Sequence, residues 1–178
     1  MRRKIRFLPL LLLLFLCSCA PKEQQSGTWD ALELDHSVEL QYAAQFSIDC
    51  YQGEYQKITI GTDGVYLVVP EGGEVPEGIP EDVTVLRQPL DSIYLVATSA
   101  MDLFRELDGV GAVTLSGTDV NGWYIDEAKR AMEEGSMVYA GKYSAPDYEL
   151  ILDRGCDLAV ESTMIYHSPE VKEQLERF

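Results

Sequence analysis

The residues best suited to hold a small ligand fall in four short segments: Thr98-Ser99, Ser116-Gly117-Thr118, Gly141-Lys142-Tyr143-Ser144 and Glu161-Ser162-Thr163-Met164. Most of them are small hydroxylated side chains, which both donate and accept hydrogen bonds. Each segment stands at or near the start of an expected helix, where free backbone N–H groups and the positive end of the helix dipole favour acceptor oxygens. Tyr143, Tyr166 and Trp123, in or beside these segments, offer flat apolar faces. Taken one at a time, the Ser and Thr residues read as helix caps and the aromatics as cover for a sheet. The shared character of all four segments points instead to one binding edge, with Thr98, Ser99, Ser116, Gly117, Thr118, Lys142, Tyr143, Ser144, Glu161, Ser162 and Thr163 as the expected contact set.

Residues that could run a reaction are few. The two histidines, His36 and His167, are far apart in the chain, with nothing like the His-x-x-x-His spacing that puts two ligands on one helix face. Gly109-Val110-Gly111 follows an expected helix, whereas a dinucleotide fingerprint follows a strand, so it reads as a turn. Phosphate loop, nucleophile elbow and Cys-x-x-Cys motifs are missing. Glu133-Glu134 and the acidic residues between Glu71 and Glu81 read as solvated charge. The expectation is a protein that is not an enzyme, without a metal or a cofactor.

The elements that must position the four segments alternate strand and helix. Ile93 to Ala97 is an apolar run followed by Ser99-Ala100-Met101-Asp102, which has the form of a capping box opening a helix through Leu103, Phe104 and Leu107. Ala112 to Leu115 predicts a second strand, with a helix from about Trp123 to Glu134 that Gly135 stops. Its inward face is Ile125, Ala128 and Met132. Met137 to Ala140 is a third strand, and Ser144-Ala145-Pro146-Asp147 a second capping box opening a helix to Leu152. A fourth strand, Leu158 to Val160, precedes a helix with Ser168 as N-cap, Pro169 at its first position and Val171, Leu175 and Phe178 as its apolar stripe. Four β-α repeats argue for a doubly wound, mostly parallel α/β sheet, whose strand-to-helix loops emerge together at the carboxyl ends of the strands.

Upstream, residues 37–90 read as a β-rich opening section. Val38, Leu40, Tyr42, Phe46, Ile48 and Cys50 recur at even spacing, as in one half-buried strand. Tyr55 to Ile60 and Val65 to Val69 flank Gly61-Thr62-Asp63-Gly64, which predicts a hairpin. Pro70 to Pro80 is a Pro- and Gly-rich loop, and Val83 to Leu86 a further short strand.

Residues Met1 to Arg6 carry Arg2, Arg3, Lys4 and Arg6 ahead of an apolar run from Phe7 to Leu16, the pattern of a signal peptide over residues 1–18. The run is shorter than the roughly 20 residues a membrane-spanning helix needs. Leu16-Cys17-Ser18-Cys19 resembles a lipoprotein lipobox, which implies cleavage before Cys19, acylation of its thiol and residence on the outer face of the cell membrane. Residues 19–36 then form a tether, polar from Lys22 to Thr28. Cleavage removes four of the 14 basic residues and none of the 30 acidic ones, leaving 10 against 30 and a charge of −20. Nucleic acid is excluded as a partner by that balance. Cys50 and Cys156 remain for the fold; a disulfide is permitted outside the cell, spacing alone cannot place the two within bonding distance, and two buried thiols are the preferred reading.

With these elements in place, the chain resembles the amino-terminal part of substrate-binding lipoproteins of the ferric-siderophore, haem and cobalamin class. Ser92 to Phe104 is similar to that family's first strand and following helix. Gly141-Lys142-Tyr143-Ser144 resembles its Gly-Gly-Tyr-Ser turn, and Tyr148 to Leu152 leading to Cys156-Asp157-Leu158-Ala159-Val160 resembles its next helix and strand. The resemblance covers about residues 37 to 178. It implies a solute-binding component of an ABC importer, with an iron chelate or a corrinoid as its small-molecule ligand and a membrane permease as its partner. The lobe at 91–178 is then incomplete at its carboxyl end, since the family's last strand, linking helix and second lobe have no counterpart here. A different reading, a surface lipoprotein with a structural or partner-binding role and no small-molecule ligand, fits the same sequence.

Overall fold

Two sheets divide the chain between them. A computed structural model describes residues 27–62 and 64–177; the expected signal peptide, the lipobox with Cys19, part of the tether, Asp63 and Phe178 lie outside the described residues. The result is a mixed α/β structure with one mixed sheet and one parallel sheet.

The first sheet has five strands in chain order, β1 (Leu34–Ser37), β2 (Phe46–Tyr51), β3 (Gln56–Ile60), β4 (Gly64–Val69) and β5 (Val83–Arg87). Neighbours are antiparallel except β4 and β5, which run parallel. The expected β3–β4 hairpin and the strand after the Pro-rich loop are both present. The single strand expected through Val38 to Cys50 is not. Only its far end is strand, as β2, which pairs with β1 just upstream of Val38, and residues 38–45 are the connection, because an even spacing of apolar residues survives a reversal of direction and cannot report one. β1 therefore starts at Leu34, inside the stretch read as tether. Thr28 bridges Glu77, and the Trp29 amide donates to the Glu77 carbonyl at 2.8 Å.

Residues opposite one another share a face, so Phe46 and Ile60, then Ile48, Ile58 and Tyr66, then Cys50, Gln56, Val68 and Leu86 form rows on one side of this sheet. The other side carries Asp49, Lys57, Leu67 and Val85. Only Leu67, Val68 and Val69 of the five strands are buried.

The second sheet is parallel throughout, with four strands in the order β11-β6-β7-β8: β6 (Ile93–Leu95), β7 (Val113–Ser116), β8 (Val138–Tyr139) and β11 (Leu158–Val160). From β6 the chain adds β7 and β8 on one side and then returns to place β11 on the other. Four short helices connect or follow these strands: α1 (Met101–Glu106), α2 (Asp126–Glu133), α3 (Tyr148–Asp153) and α4 (Pro169–Leu175). A two-stranded ribbon of β9 (Gly141–Lys142) and β10 (Ala145–Pro146) lies between β8 and α3.

Strand alternation sends side chains to both faces of this sheet. Ile93, Leu95 and Val113 pack with Met101, Phe104, Ala128 and Met132 of α1 and α2. Tyr94 and Leu115 pack with Leu150 and Ile151 of α3 and Leu175 of α4. Val113 and Leu115 can face opposite ways because β7 has one residue more than β6 at this point: Ile93 pairs with Val113, but Tyr94 with Leu115. The surplus Thr114 makes a bulge. Its hydroxyl lies 3.1 Å from that of Ser92.

Helix boundaries are where expectation and structure differ most. Ser99 lies inside a 3₁₀ turn (Thr98–Ala100), so α1 begins at Met101 with no side-chain cap. In the third unit the cap is Asp147 and not Ser144, since Asp147 accepts from the Leu150 amide at 3.0 Å. Trp123 precedes α2, while Gly135 stops it at φ +79° as expected. Ser168 makes no capping bond before Pro169, and residues 163–167, read as loop, form a 3₁₀ turn capped by Ser162.

Candidate functional site

Because the four strands are parallel, the segments that follow them leave the sheet at one edge. Hydrogen bonds tie these strand ends together. Val96 and Ala97 amides donate to Val160 O at 2.9 and 3.1 Å, Gly117 N to Leu95 O at 2.8 Å, and Ala140 N to Ser116 O at 2.9 Å. Gly117 is needed there, since a Cβ would stand 3.0 Å from Val96. Gly141 is needed still more: its φ is +86°, and a Cβ would collide with the Ala145 carbonyl across the ribbon.

The expected contact residues divide into those that reach this edge and those that do not. Thr98 and Ser99 are exposed in their 3₁₀ turn, Lys142 and Thr163 are exposed, and Gly117, Thr118, Tyr143 and Ser144 are half-buried. Ser116 is fully buried. Its hydroxyl donates to Thr118 O at 2.6 Å and accepts from Thr118 N at 3.0 Å and Trp123 Nε1 at 3.1 Å, so it is a structural anchor with no capacity left for a ligand. Trp123, expected to offer a flat face, is buried as well. Tyr166 is 68% exposed. Ser162 accepts from Met164 N at 3.3 Å.

Glu161 is the exceptional member. It follows β11 directly, and neither of its carboxyl oxygens reaches solvent or meets a hydrogen-bond partner. Burial pushes its pKa up to about 7, against the opposing effect of the Ser162 amide. Glu161 also acts on Tyr94, whose phenol is raised far above its ordinary value, first by burial and then by the Glu161 charge. The Tyr94 hydroxyl donates to Gly141 O at 2.8 Å, joining the middle strand to the ribbon. Cys156, also lifted by burial, and the phenols of Tyr139 and Tyr148 complete this group.

Compared with family models, curated proteins and solved structures, the chain matches none.

Among the described residues no three His, Cys, Asp or Glu side chains are placed to hold a metal ion, and no helix is long and apolar enough to cross a membrane. Cys50 and Cys156 are free thiols, Cys50 in the five-stranded sheet and Cys156 just before β11.

Sequence reasoning passed over Tyr94; a lone phenol in an otherwise aliphatic run was its one visible signal. It also passed over two clefts of about 500 and 520 Å³ beside the five-stranded sheet, the second lined by Asp35, His36, Cys50 and Glu54 among others. A polar network in that sheet went unseen too. Lys57 Nζ sits 3.0 Å from Asp49 Oδ2 and 3.1 Å from Tyr51 Oη, and Ser37 donates to Asp49 at 2.7 Å. Hydrogen bonds from Ser37 and Lys57 lower the Asp49 pKa, and those to Tyr51 and Asp49 raise that of Lys57. The amine is thereby held in its charged form, which makes the network an ion pair and not a nucleophile.

Proposed function

We propose that this chain is a lipid-anchored solute-binding component of an ABC importer, that its four-stranded lobe is doubly wound, and that it carries its ligand without turning it over. The observation that carries the reading is the strand order β11-β6-β7-β8 with all neighbours parallel. Helices pack on both faces of that sheet, and the order reverses beside β6, the place where open α/β sheets bind ligands outside the carboxyl ends of their strands. Thr98 and Ser99, Gly117 and Thr118, Lys142 to Ser144, and Ser162 and Thr163 are the residues available there. The ligand class, an iron chelate such as a ferric siderophore or haem, or a corrinoid, rests on the family resemblance, as do the permease partner and the lipid on Cys19.

The test is thermal melting of the purified full chain with and without a ferric siderophore, haem and cobalamin, alongside absorption spectra of the protein as isolated. A saturable rise in Tm with one of the three, lost on Tyr143→Ala with Lys142→Ala, is the expected result. Colourless protein whose melting ignores all three overturns the ligand class. The burial of Ser116 and Trp123, together with clefts beside the other sheet, favours a second reading, a surface lipoprotein that binds a partner through its β-rich section.

A further inference from the structure

We propose that His36 and Cys50 form a two-ligand site for a soft monovalent metal ion, Cu(I), on the edge of the five-stranded sheet. The β1–β2 register sets the two residues directly opposite each other. Opposed residues of an antiparallel pair share a face with their Cβ atoms about 4.5–5.5 Å apart, a span that one metal ion can bridge between imidazole and sulfur. In sequence the two are separated by a reversal of the chain, so no spacing motif announces them.

The register does more than juxtapose. Leu34 pairs with Tyr51 and His36 with Cys50, which leaves Asp35 surplus in a bulge, and bulges re-aim side chains. Asp35 Oδ2 lies 2.9 Å from His36 Nδ1. A carboxylate only accepts, so Nδ1 carries the proton, and in the neutral ring Nε2 is the nitrogen left to take a metal. A carboxylate behind an imidazole is the arrangement that orients histidines as metal ligands. Asp35, His36 and Cys50 line the same 520 Å³ cleft, and the Cys50 thiol is free.

Coordination number selects the metal. Zinc requires four ligands, usually three or four of them from protein, and no group of three His, Cys, Asp or Glu is so placed among the described residues. A thiolate paired with an imidazole suits Cu(I), which needs fewer ligands and prefers soft ones. On binding, the Cys50 thiol releases its proton to water, Cu–Sγ and Cu–Nε2 bonds form, and copper stays Cu(I) throughout.

The experiment uses the full chain in detergent with Cys17→Ser and Cys19→Ser, so that Cys50 and Cys156 are its two thiols. Cu(I) is supplied anaerobically against the competing chelator bicinchoninate, with the ultraviolet thiolate-to-copper band as a second readout and circular dichroism to confirm the fold. Cys156→Ser is expected to leave affinity unchanged. Asp35→Asn should weaken it about tenfold or more, as loss of a supporting carboxylate does, and His36→Gln and Cys50→Ser should weaken it further, the last also losing the band. Retention of parental affinity by either His36→Gln or Cys50→Ser overturns the paired site, as does a parent chain that takes no Cu(I) from the chelator.

Discussion

A carboxyl group whose oxygens are covered from water, with the Ser162 amide only partly offsetting that burial, as in Glu161, makes folding depend on pH in a defined direction. Its folded pKa, about 7, lies above the ordinary 4.5, so between those values the native state holds a proton that the unfolded chain has released. Stability is then fully present below about pH 4.5 and declines as pH rises to about 7. Allowing for solvent around this half-buried side chain, the loss is about 1–2 kcal/mol. Glu161→Gln should flatten the Tm profile between pH 5 and 8 and melt higher than the parent at pH 8; parallel profiles for the two proteins would refute the assignment. Asp49, with its lowered pKa, acts in the opposite sense, losing its contribution only in acid below the ordinary carboxylate range. Tyr94→Phe should cost about 1–3 kcal/mol in urea unfolding, because the Gly141 carbonyl is left without its donor inside the protein. Of these residues only Glu161 stands out in the sequence, as a member of the expected contact set and not as a buried carboxyl group. Its place after an apolar strand is visible in the residue order, but its burial, and the nearness of Tyr94, arise only in the folded sheet.

Elements were legible where one local period decides them. The β3–β4 hairpin, the strands at 93–95, 113–116 and 158–160, and the Gly135 stop all follow from alternation or a breaker. What failed needed longer-range information. Ser99 and Ser144 head sequences of capping-box form, yet the 3₁₀ turn that contains Ser99 and the β9–β10 ribbon around Ser144 set their backbones otherwise. That ribbon, four residues in all, is too short to carry a period. It turns on Gly141, which yields a prediction at this scale. Gly141→Ala combines a strained positive φ with a backbone collision and should destabilise by about 3 kcal/mol or more. Gly135→Ala, at φ +79° but with open space around its Cβ, should cost about 1 kcal/mol, the backbone strain alone. Equal midpoints in urea for the two variants would contradict the packing described at the ribbon.

For the molecule as a whole, the mixed α/β class was readable from the chain, since β-rich and β-α segments differ in period and punctuation. The strand order was not, because adding the last strand beside β6 or beside β8 leaves the same local signature. The five-stranded sheet also departs from expectation in how little of it is covered: Phe46 and Ile60 are 37% and 36% exposed on its apolar face. Phe46→Lys with Ile60→Lys should therefore lower the fluorescence of an added hydrophobic dye such as anilinonaphthalene sulfonate, with Tm nearly unchanged; a large fall in Tm would mean that face is packed in solution. In the parallel sheet, the extra Thr114 has a consequence for how the protein tolerates change. Replacing its side chain is mild, since the position is a spacer. Deleting it would make Val113 and Leu115 adjacent, and plain alternation would then keep Leu115 beside Tyr94 and Ser116 beside Leu95, each on its present side. The strand can therefore lose a codon here without turning over, whereas an added residue between Leu115 and Ser116 would swing the Ser116 hydroxyl away from the Trp123 indole, an asymmetry that substitution scanning would never detect.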